Sequence, residues 1–336
     1  MKQVMFFAHD AGGANAIAPL IPEFDNPLIF GKGPALNIMP NAKELSGGII
    51  RNSNPDFLIT GTSGNDFTER NLWREAEDLG ITSMAILDSW INYGVRFSDY
   101  GLKELHRFDR KCNRLPNFIC VMDEIAKKDM IKDGVPGEKI VTFGNPHFEK
   151  TASFAKDSTK YENQLTNNRM ILFISSAFED ILYKGSDETV LQYLIQIVEM
   201  YDDATILIRK HPNETADKFY YYLNEHILMD SNLDVYDSIR QADIIVSVNS
   251  MVLIEALFFR KKIISCQPKT KNGKNDFILT RNNTLPFIDN LSEFGRYFNE
   301  LYYDKNYKLE TNIIHAGIID RIKIFVEKQI NGQTCD

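Results

Sequence analysis

Apolar residues in this chain fall into short unbroken runs, each followed by a polar or glycine-rich turn and then by a stretch of helical spacing. Val4 to Ala8, Phe57 to Thr60, Met84 to Leu87, Phe118 to Met122 and Ile140 to Phe143 read as strands buried on both faces. Such strands carry continuous rather than alternating apolar residues, because helices cover both sides of a parallel sheet. A helix is predicted to begin near Ala16, after the turn Asp10-Ala11-Gly12-Gly13-Ala14-Asn15. Another follows Gly61-Thr62-Ser63-Gly64 and places Leu72, Trp73, Ala76 and Leu79 on one face. A third, from about Glu124, closes at Asp133-Gly134, where glycine suits a left-handed cap. The strand from Ile140 runs into the turn signal Gly144-Asn145-Pro146.

The polar stretch Lys156 to Asn168 interrupts this rhythm, which then restarts. Strands are predicted at Met170 to Ile174, Thr205 to Ile208, within Ala242 to Ser250, where the pattern ends in Ser-Val-Asn-Ser, and at Lys262 to Ser265. Helices are predicted at about Asp187 to Tyr201, Ala216 to Glu225, Met251 to Leu257 and Gly317 to Lys328. In the first of these, Val190, Leu191, Leu194, Ile197, Val198 and Tyr201 form the buried stripe; in the last, Ile318, Ile319, Ile322 and Phe325. Strand and helix alternating in two blocks predict an α/β chain with two Rossmann-like parallel-sheet domains. The expected division is a first domain over 1–155, a linker over 156–168, a second domain over 169–315, and a C-terminal helix and tail over 316–336.

Length and composition fit this picture. The 336 residues suffice for two separate cores, and 43% apolar with 25% charged residues is ordinary for a soluble protein. A net charge of −8 argues against a nucleic-acid partner, which leaves a basic footprint. The first apolar run stops at His9-Asp10, too short for a signal sequence, and no run reaches the ~20 residues of a membrane span. Cys112, Cys120, Cys266 and Cys335 show no CxxC spacing, so free thiols in a reducing cytoplasm are expected. The basic run Lys103, His106, Arg107, Arg110, Lys111 and Arg114 is either a solvated face or a contact for an anionic membrane surface or glycan. No His/Cys/Asp cluster has metal-ligand spacing, so no metal or other cofactor is expected.

Candidate chemistry gathers at strand ends, where open α/β sheets bind ligands. Ile206 to Ile208 ends in Arg209-Lys210-His211-Pro212, and Ile244 to Val246 ends in Ser247-Val248-Asn249-Ser250 before a helix. An imidazole beside hydroxyls and open helical N–H groups suits a phosphate, although Ser247 and Ser250 equally suit helix capping. Glu255, on that helix, either bonds a ribose hydroxyl or lies on a solvated face. Ser175 and Ser176 open the second block in a similar way and suit donor phosphate or a plain polar turn. At the first strand end, His9, Asp10, Gly12 and Gly13 offer an acid–base pair on a glycine-rich turn, with Asp10 preferred over His9 as base. Asp88, Trp90, Asn92, Tyr93 and Arg96 form a polar-aromatic cluster suited to sugar recognition or, alternatively, to anchoring a half-buried loop.

Two such blocks meeting near Gly144-Asn145-Pro146 resemble the GT-B glycosyltransferase architecture, whose domains face a central cleft. The run Asp123 to Pro146 is similar to the end of the N-terminal domain in UDP-N-acetylglucosamine 2-epimerases and Kdo transferases. Arg209-Lys210-His211-Pro212 resembles the His-Pro motif of bacterial sialyltransferases and Kdo transferases, and CDP-glycerol phosphotransferases carry a comparable His-Pro. The resemblance implies a glycosyltransferase that moves a sialic-acid-like nonulosonate or Kdo from a CMP-activated donor to a cell-surface glycan or glycolipid acceptor. His211 would stabilise the departing phosphate and Asp10 or His9 would activate the acceptor. The alternatives are a UDP-sugar 2-epimerase or hydrolase, a CDP-polyol phosphotransferase, or a non-catalytic nucleotide-sugar-binding subunit. The chain departs from the epimerases at two places: Ser247-Val248-Asn249-Ser250 stands for their Ser-Gly-Gly loop, and Leu87 to Tyr93 for their His-Val-Glu-Ala-Gly-Leu-Arg pattern.

Overall fold

The five apolar residues Val4–Ala8 form strand β1, buried at every position. The computed structural model describes residues 2–158, 168–176, 186–211, 214–215, 217–268, 277–310 and 313–333. The chain divides into two compact units, Met1–Thr151 with Ile313–Asp336, and Ala152–Asn312.

In the first unit β1 leads into helix α1 (Ala11–Ile17), strands β2 (Leu28–Gly31) and β3 (Lys43–Glu44), and the short helix α2 (Ile49–Ser53). Strand β4 (Phe57–Thr60), helix α3 (Thr68–Asp78) and strand β5 (Thr82–Ile86) follow. Strand β6 (Phe118–Val121), helix α4 (Glu124–Lys132), strand β7 (Ile140–Thr142) and the start of helix α5 (Pro146–Ser158) complete the run. All seven strands pair in parallel, in the order β3-β2-β1-β4-β5-β6-β7. Helix α4 starts where Asp123 accepts the N–H of Ala126 and ends before Gly134, which takes the left-handed conformation (φ +94).

The second unit contains β8 (Arg169–Ile174), α6 (Ser186–Val198), β9 (Ala204–Arg209), β10 (Ile227–Met229), α7 (Val235–Gln241), β11 (Ile244–Ser247), α8 (Met251–Phe258), β12 (Lys262–Ser265), α9 (Ile278–Arg281) and α10 (Leu291–Tyr303). Its five strands are also parallel, in the order β10-β9-β8-β11-β12. Phe173, Leu194, Ile206, Ile208, Val246, Phe294 and Phe298 share one buried cluster between this sheet and helices α6 and α10.

The last helix, α11 (Ile318–Ile330), belongs to the first unit rather than standing apart. Ile318, Ile322, Phe325 and Val326 enter the same core as Phe6, Ile59, Met84 and Cys120. Its first turn is held by Glu149 of α5, whose carboxylate accepts the N–H groups of Gly317 (2.9 Å), Ile318 (2.7 Å) and Ile319 (2.8 Å). These donors have no partner inside the helix, and a carboxylate also suits the positive end of the helix dipole.

Three elements differ from the sequence expectation. Helix α1 starts at Ala11, five residues before the predicted position, so Gly12 and Gly13 are helical rather than part of a turn. The reason is packing: a Cβ on Gly13 would sit 3.0 Å from Gly61 Cα, and one on Gly61 only 2.8 Å from Gly13 Cα. The helix predicted from Ala216 to Glu225 is only a 3-10 turn at Tyr220–Tyr222, with Ala216 itself outside the described residues. Phe219 is buried and Tyr222 and Leu223 pack against the same core, while Tyr220 and Tyr221 are exposed, so a single turn places the inward-facing residues. Most of the expected linker, residues 159–167, lies outside the described residues, while Lys156 is still in α5. Among the described residues no helix is long and apolar enough to cross a membrane.

The Gly13–Gly61 contact predicts that Gly61→Val destabilises the first unit by about 1–3 kcal/mol through overpacking. Thermal denaturation is expected to show a Tm drop of several degrees, while Gly47→Ala, a site with nothing within 4 Å, stays near wild type. Equal Tm values for the two variants would show that the helix does not need this close approach.

Candidate functional site

Strand order reverses between β1 and β4 in the first sheet and between β8 and β11 in the second. At such a switch point the loops leaving neighbouring strands diverge to opposite faces and open a crevice beyond their carboxyl ends. The residues singled out from sequence at Ala8, Ile174 and Ser247 stand at those points.

In the first unit the reversal brings Asp10, which precedes α1, against the loop after β4. One Asp10 oxygen lies 2.5 Å from His9 Nδ1; the other accepts the Ser63 hydroxyl (2.8 Å) and the Gly64 N–H (3.4 Å). The His9 backbone N–H donates to Glu69 Oε1 at 3.1 Å. Glu69 comes from the first turn of α3 and is 1% exposed, and its second oxygen has no hydrogen-bond partner among the described residues. Burial, with Asp10 and Asp66 nearby, pushes the Glu69 carboxyl up to about 8, so it holds its proton at neutral pH. Asp66 is the opposite case. Burial alone would raise it, but hydrogen bonds from Lys32 and Thr68 outweigh that and bring it to about 2. A dense set of acid and base groups results, of which sequence reasoning found only His9 and Asp10.

The loops that carry this set are fixed by two buried guanidinium groups. Arg70 donates to five carbonyls: Arg96 (2.8 Å), Ser98 (3.1 Å), Tyr100 (2.7 Å), Ser63 (3.3 Å) and Gly64 (3.3 Å). Arg96 donates to the Thr62 carbonyl (2.7 Å), Asp88 (2.8 Å), the Ser89 hydroxyl (2.9 Å) and the Asn92 carbonyl (3.2 Å). It is therefore committed within the fold and is not presented to a ligand carboxylate. Trp90 is likewise a scaffold residue, 3% exposed, stacked on Phe148 at 5.7 Å and donating to Asp123 at 2.8 Å. Tyr93 is buried as well. Of the expected sugar-binding cluster, Asp88 and Asn92 keep partial exposure. Asp88 lies over Gly12, where any Cβ would collide with its carboxylate.

In the second unit Ser176 and Ser247, from the ends of adjacent strands β8 and β11, bring their hydroxyls within 3.2 Å of each other. Ser247 also donates to the Ile174 carbonyl at 2.8 Å. Ser250 accepts the Val252 N–H (3.2 Å) and caps α8, with Asn249 and Glu255 half-buried beside that turn. Glu214, absent from the sequence reading, organises the other side. It accepts from the Ser175 hydroxyl (2.7 Å), the His211 N–H (2.8 Å) and Lys218. Lys210 donates to the Glu214 carbonyl at 3.1 Å. Asp187, in the first turn of α6, accepts the Ser176 N–H at 3.1 Å and is raised by burial. His211 is lowered, chiefly by burial and against the pull of Glu214, so its imidazole is neutral at neutral pH. Arg209 points elsewhere: its guanidinium binds Asp230 (2.7 Å), Ser238 (3.1 Å) and the Asn232 carbonyl (3.0 Å), which ties β9 to the turn after β10. Pro212 lies outside the described residues.

The basic run after Gly101 is interleaved with acids. Arg107 pairs with Glu104, Lys111 with Asp109 (3.1 Å) and Arg114 with Asp99 (2.7 Å). These three pairs answer part of the positive charge of an exposed segment, as on a solvated face.

No protein-family model matches the sequence, and no curated protein matches it. Solved structures do match in fold. A putative UDP-N-acetylglucosamine 2-epimerase from Listeria monocytogenes aligns over 99% of this chain and 98% of its own, with TM-score 0.68 and 15% identity. The UDP-GlcNAc 2-epimerase of Neisseria meningitidis, solved with UDP-GlcNAc bound, aligns over 97% and 100%, with TM-score 0.67 and 16% identity. The wall teichoic acid polymerase TagF aligns over 98% and 89%, with TM-score 0.58 and 13% identity. The fold is thus the GT-B-like pairing of two Rossmann-like domains.

The buried Glu69 carboxyl makes stability depend on pH. It ionises at its ordinary 4.5 in the unfolded chain and near 8 in the folded one, so folding strengthens its hold on the proton. The stabilisation is complete below pH 4.5 and is lost as pH rises through 8. Glu69→Gln removes this dependence. The Tm of wild type relative to Glu69→Gln is therefore expected to fall between pH 5 and 8, by roughly 5 °C. A Tm difference constant over that window would mean that Glu69 is ionised throughout.

Proposed function

We propose that this chain is a nucleotide-sugar enzyme whose first unit performs acid–base chemistry on the sugar and whose second unit holds the nucleotide phosphates, with 2-epimerase or hydrolase as the reaction class. The observation that carries the reading is the set of proton-exchanging groups at the first switch point: His9–Asp10, with Asp66 and Glu69 around it, and Asp88 over Gly12. Inverting a carbon centre needs a proton taken from one face and returned to the other, hence more than one acid–base group. Transfer to an acceptor hydroxyl needs a single base. Full-length likeness to 2-epimerases supports the same choice, and the lower TM-score with TagF gives the polyol-phosphate reading less support. Transfer from a CMP-activated nonulosonate or Kdo, which the His-Pro resemblance suggested, ranks behind it.

In the proposed mechanism Asp10 takes the proton from C2 of the sugar while the C1–O bond to UDP breaks. The C–H electron pair becomes a C1–C2 double bond and UDP leaves as the anion. Return of a proton to the other face of C2 with re-addition of UDP at C1 completes the inversion. His9, bonded to Asp10 through Nδ1, orients that carboxylate. Asp88, held by Arg96, serves as the second group. In the second unit Ser176 and the first turn of α8 donate to phosphate oxygens, and Ser247, whose own proton goes to the Ile174 carbonyl, lies beside the Ser176 hydroxyl. The neutral His211 imidazole adds a hydrogen bond, and Lys210 and Lys218 supply positive charge nearby.

Two measurements test this. Thermal-shift titration with UDP, CDP, CMP and GDP is expected to show selective stabilisation by UDP, because a ligand that binds only the folded state raises its stability by mass action. Incubation with UDP-N-acetylglucosamine in heavy water is expected to place deuterium on a sugar carbon. Asp10→Asn is expected to keep the UDP shift and slow exchange by about 10²–10⁴-fold. Selective stabilisation by CMP with no deuterium incorporation would replace this reading with transfer.

A further inference from the structure

His9 is bracketed. Its Nδ1 lies on Asp10 at 2.5 Å, and its Nε2 lies 3.6 Å from Asp66 Oδ2. Asp66 is itself immobilised: the Thr68 N–H donates to Oδ1 (2.8 Å) and Lys32 Nζ to Oδ2 (2.7 Å). One hydroxyl joins the two acids. Ser63 Oγ accepts the Asp66 N–H (3.0 Å) and gives its single proton to Asp10 (2.8 Å). Ser63, Asp10, His9 and Asp66 thus close a ring, with Lys32 attached from outside at the end of β2.

We propose that Asp66 and Lys32 are positioning residues for the His9–Asp10 pair: Asp66 orients the imidazole so that Nδ1 faces Asp10, and Lys32 holds the Asp66 carboxylate in place. The proposal rests on the acid–base role given above to Asp10. A rotatable imidazole has two ring nitrogens, and which one faces the reacting carboxylate depends on what the other one meets. Here the other one meets a fixed anion. The groups facing His9 are Asp10 before α1, Asp66 before α3, Glu69 of α3 at the backbone N–H, and Lys32 beyond Asp66. Glu69 holds its own proton and adds no charge at neutral pH. Asp66, held near 2, stays ionised over the working range, so the field at Nε2 is set by Asp66 and its partner Lys32. Asp66 lies in the loop Asn65-Asp66-Phe67, between β4 and α3.

The test reads the imidazole directly. Nitrogen–proton correlation spectra of the full chain, with the His9 signal assigned by His9→Gln, are recorded from pH 5 to 9 for wild type, Asp66→Asn, Asp66→Glu and Lys32→Met. At neutral pH wild type is expected to show one dominant arrangement of the His9 ring nitrogens, with Nδ1 facing Asp10; Asp66→Asn and Lys32→Met are expected to spread the signal over both arrangements, and Asp66→Glu to restore the single one. A His9 spectrum unchanged in both Asp66→Asn and Lys32→Met would overturn the proposal. Should Asp66→Asn fail to fold, the Lys32→Met spectrum decides. The spectra do not depend on turnover: an enzyme inactive on UDP-sugars whose His9 spectrum changes in these variants removes the epimerase reading and keeps this one. An active enzyme with unchanged spectra does the reverse.

Discussion

Five carbonyl oxygens converge on the buried guanidinium of Arg70, and the geometry of the first site depends on that convergence. Parallel strands end abruptly, and the loops that leave them have no ladder of their own to satisfy their peptide groups. Buried peptide carbonyls without partners cost ~1–3 kcal/mol each, so such loops either rise into solvent or find donors. Arginine has five N–H groups in a rigid fork and no acceptor, and Arg70 uses them on both the Ser63–Gly64 segment and the Arg96–Tyr100 segment. Ser63 reaches Asp10 because its own carbonyl is held from beneath. Arg96 repeats the device one layer out, on Thr62, Asp88, Ser89 and Asn92. The acid–base groups stand on two arginines: Arg70 holds the Ser63 loop through its carbonyls, and Arg96 holds Asp88 directly.

The two units share one topology and differ in chemistry. Each sheet reverses its strand order beside its first strand, and each gathers polar groups there. In the first unit those groups are carboxyls and an imidazole, with one carboxyl kept protonated by burial and another kept ionised by a lysine. In the second they are hydroxyls, a neutral imidazole and two lysines arranged around Glu214. One crevice is suited to moving protons and the other to holding oxyanions.

Sequence shows the interior of such a fold better than its borders. The buried strands announced themselves as apolar runs, and Val4–Ala8 has the predicted bounds. Strands β2, β3 and β10, in the outer part of each sheet, passed unnoticed, since two to four residues with exposed positions carry no pattern. At the sites, His9, Asp10, Ser176 and Ser247 were legible because they directly follow or end a strand. Trp90 and Arg96 fell between two readings, ligand recognition and loop anchoring, because an aromatic-polar loop has the same composition whether it faces a ligand or a core; their burial and hydrogen bonds fit the second. Two missed residues left a usable trace. Glu69 precedes Leu72, Trp73 and Ala76 by three, four and seven residues, and Asp187 stands in the same relation to Val190, Leu191 and Leu194. Each is a carboxyl on the apolar stripe of its helix, in the first turn, where a strand-end crevice opens.

The docking of α11 by Glu149 has a consequence for how the protein comes to exist. The first unit is discontinuous: its core lacks Ile318, Ile322, Phe325 and Val326 until the whole second unit has been made. At ribosomal rates of about 5–20 residues per second, the roughly 160 intervening residues take on the order of ten to thirty seconds. During that interval the apolar face that receives α11, around Phe118 and Phe143, is uncovered on the nascent chain. The first part of the protein to be synthesised is therefore the last to be finished, and its exposure to chaperones and to aggregation is set by the translation time of the second.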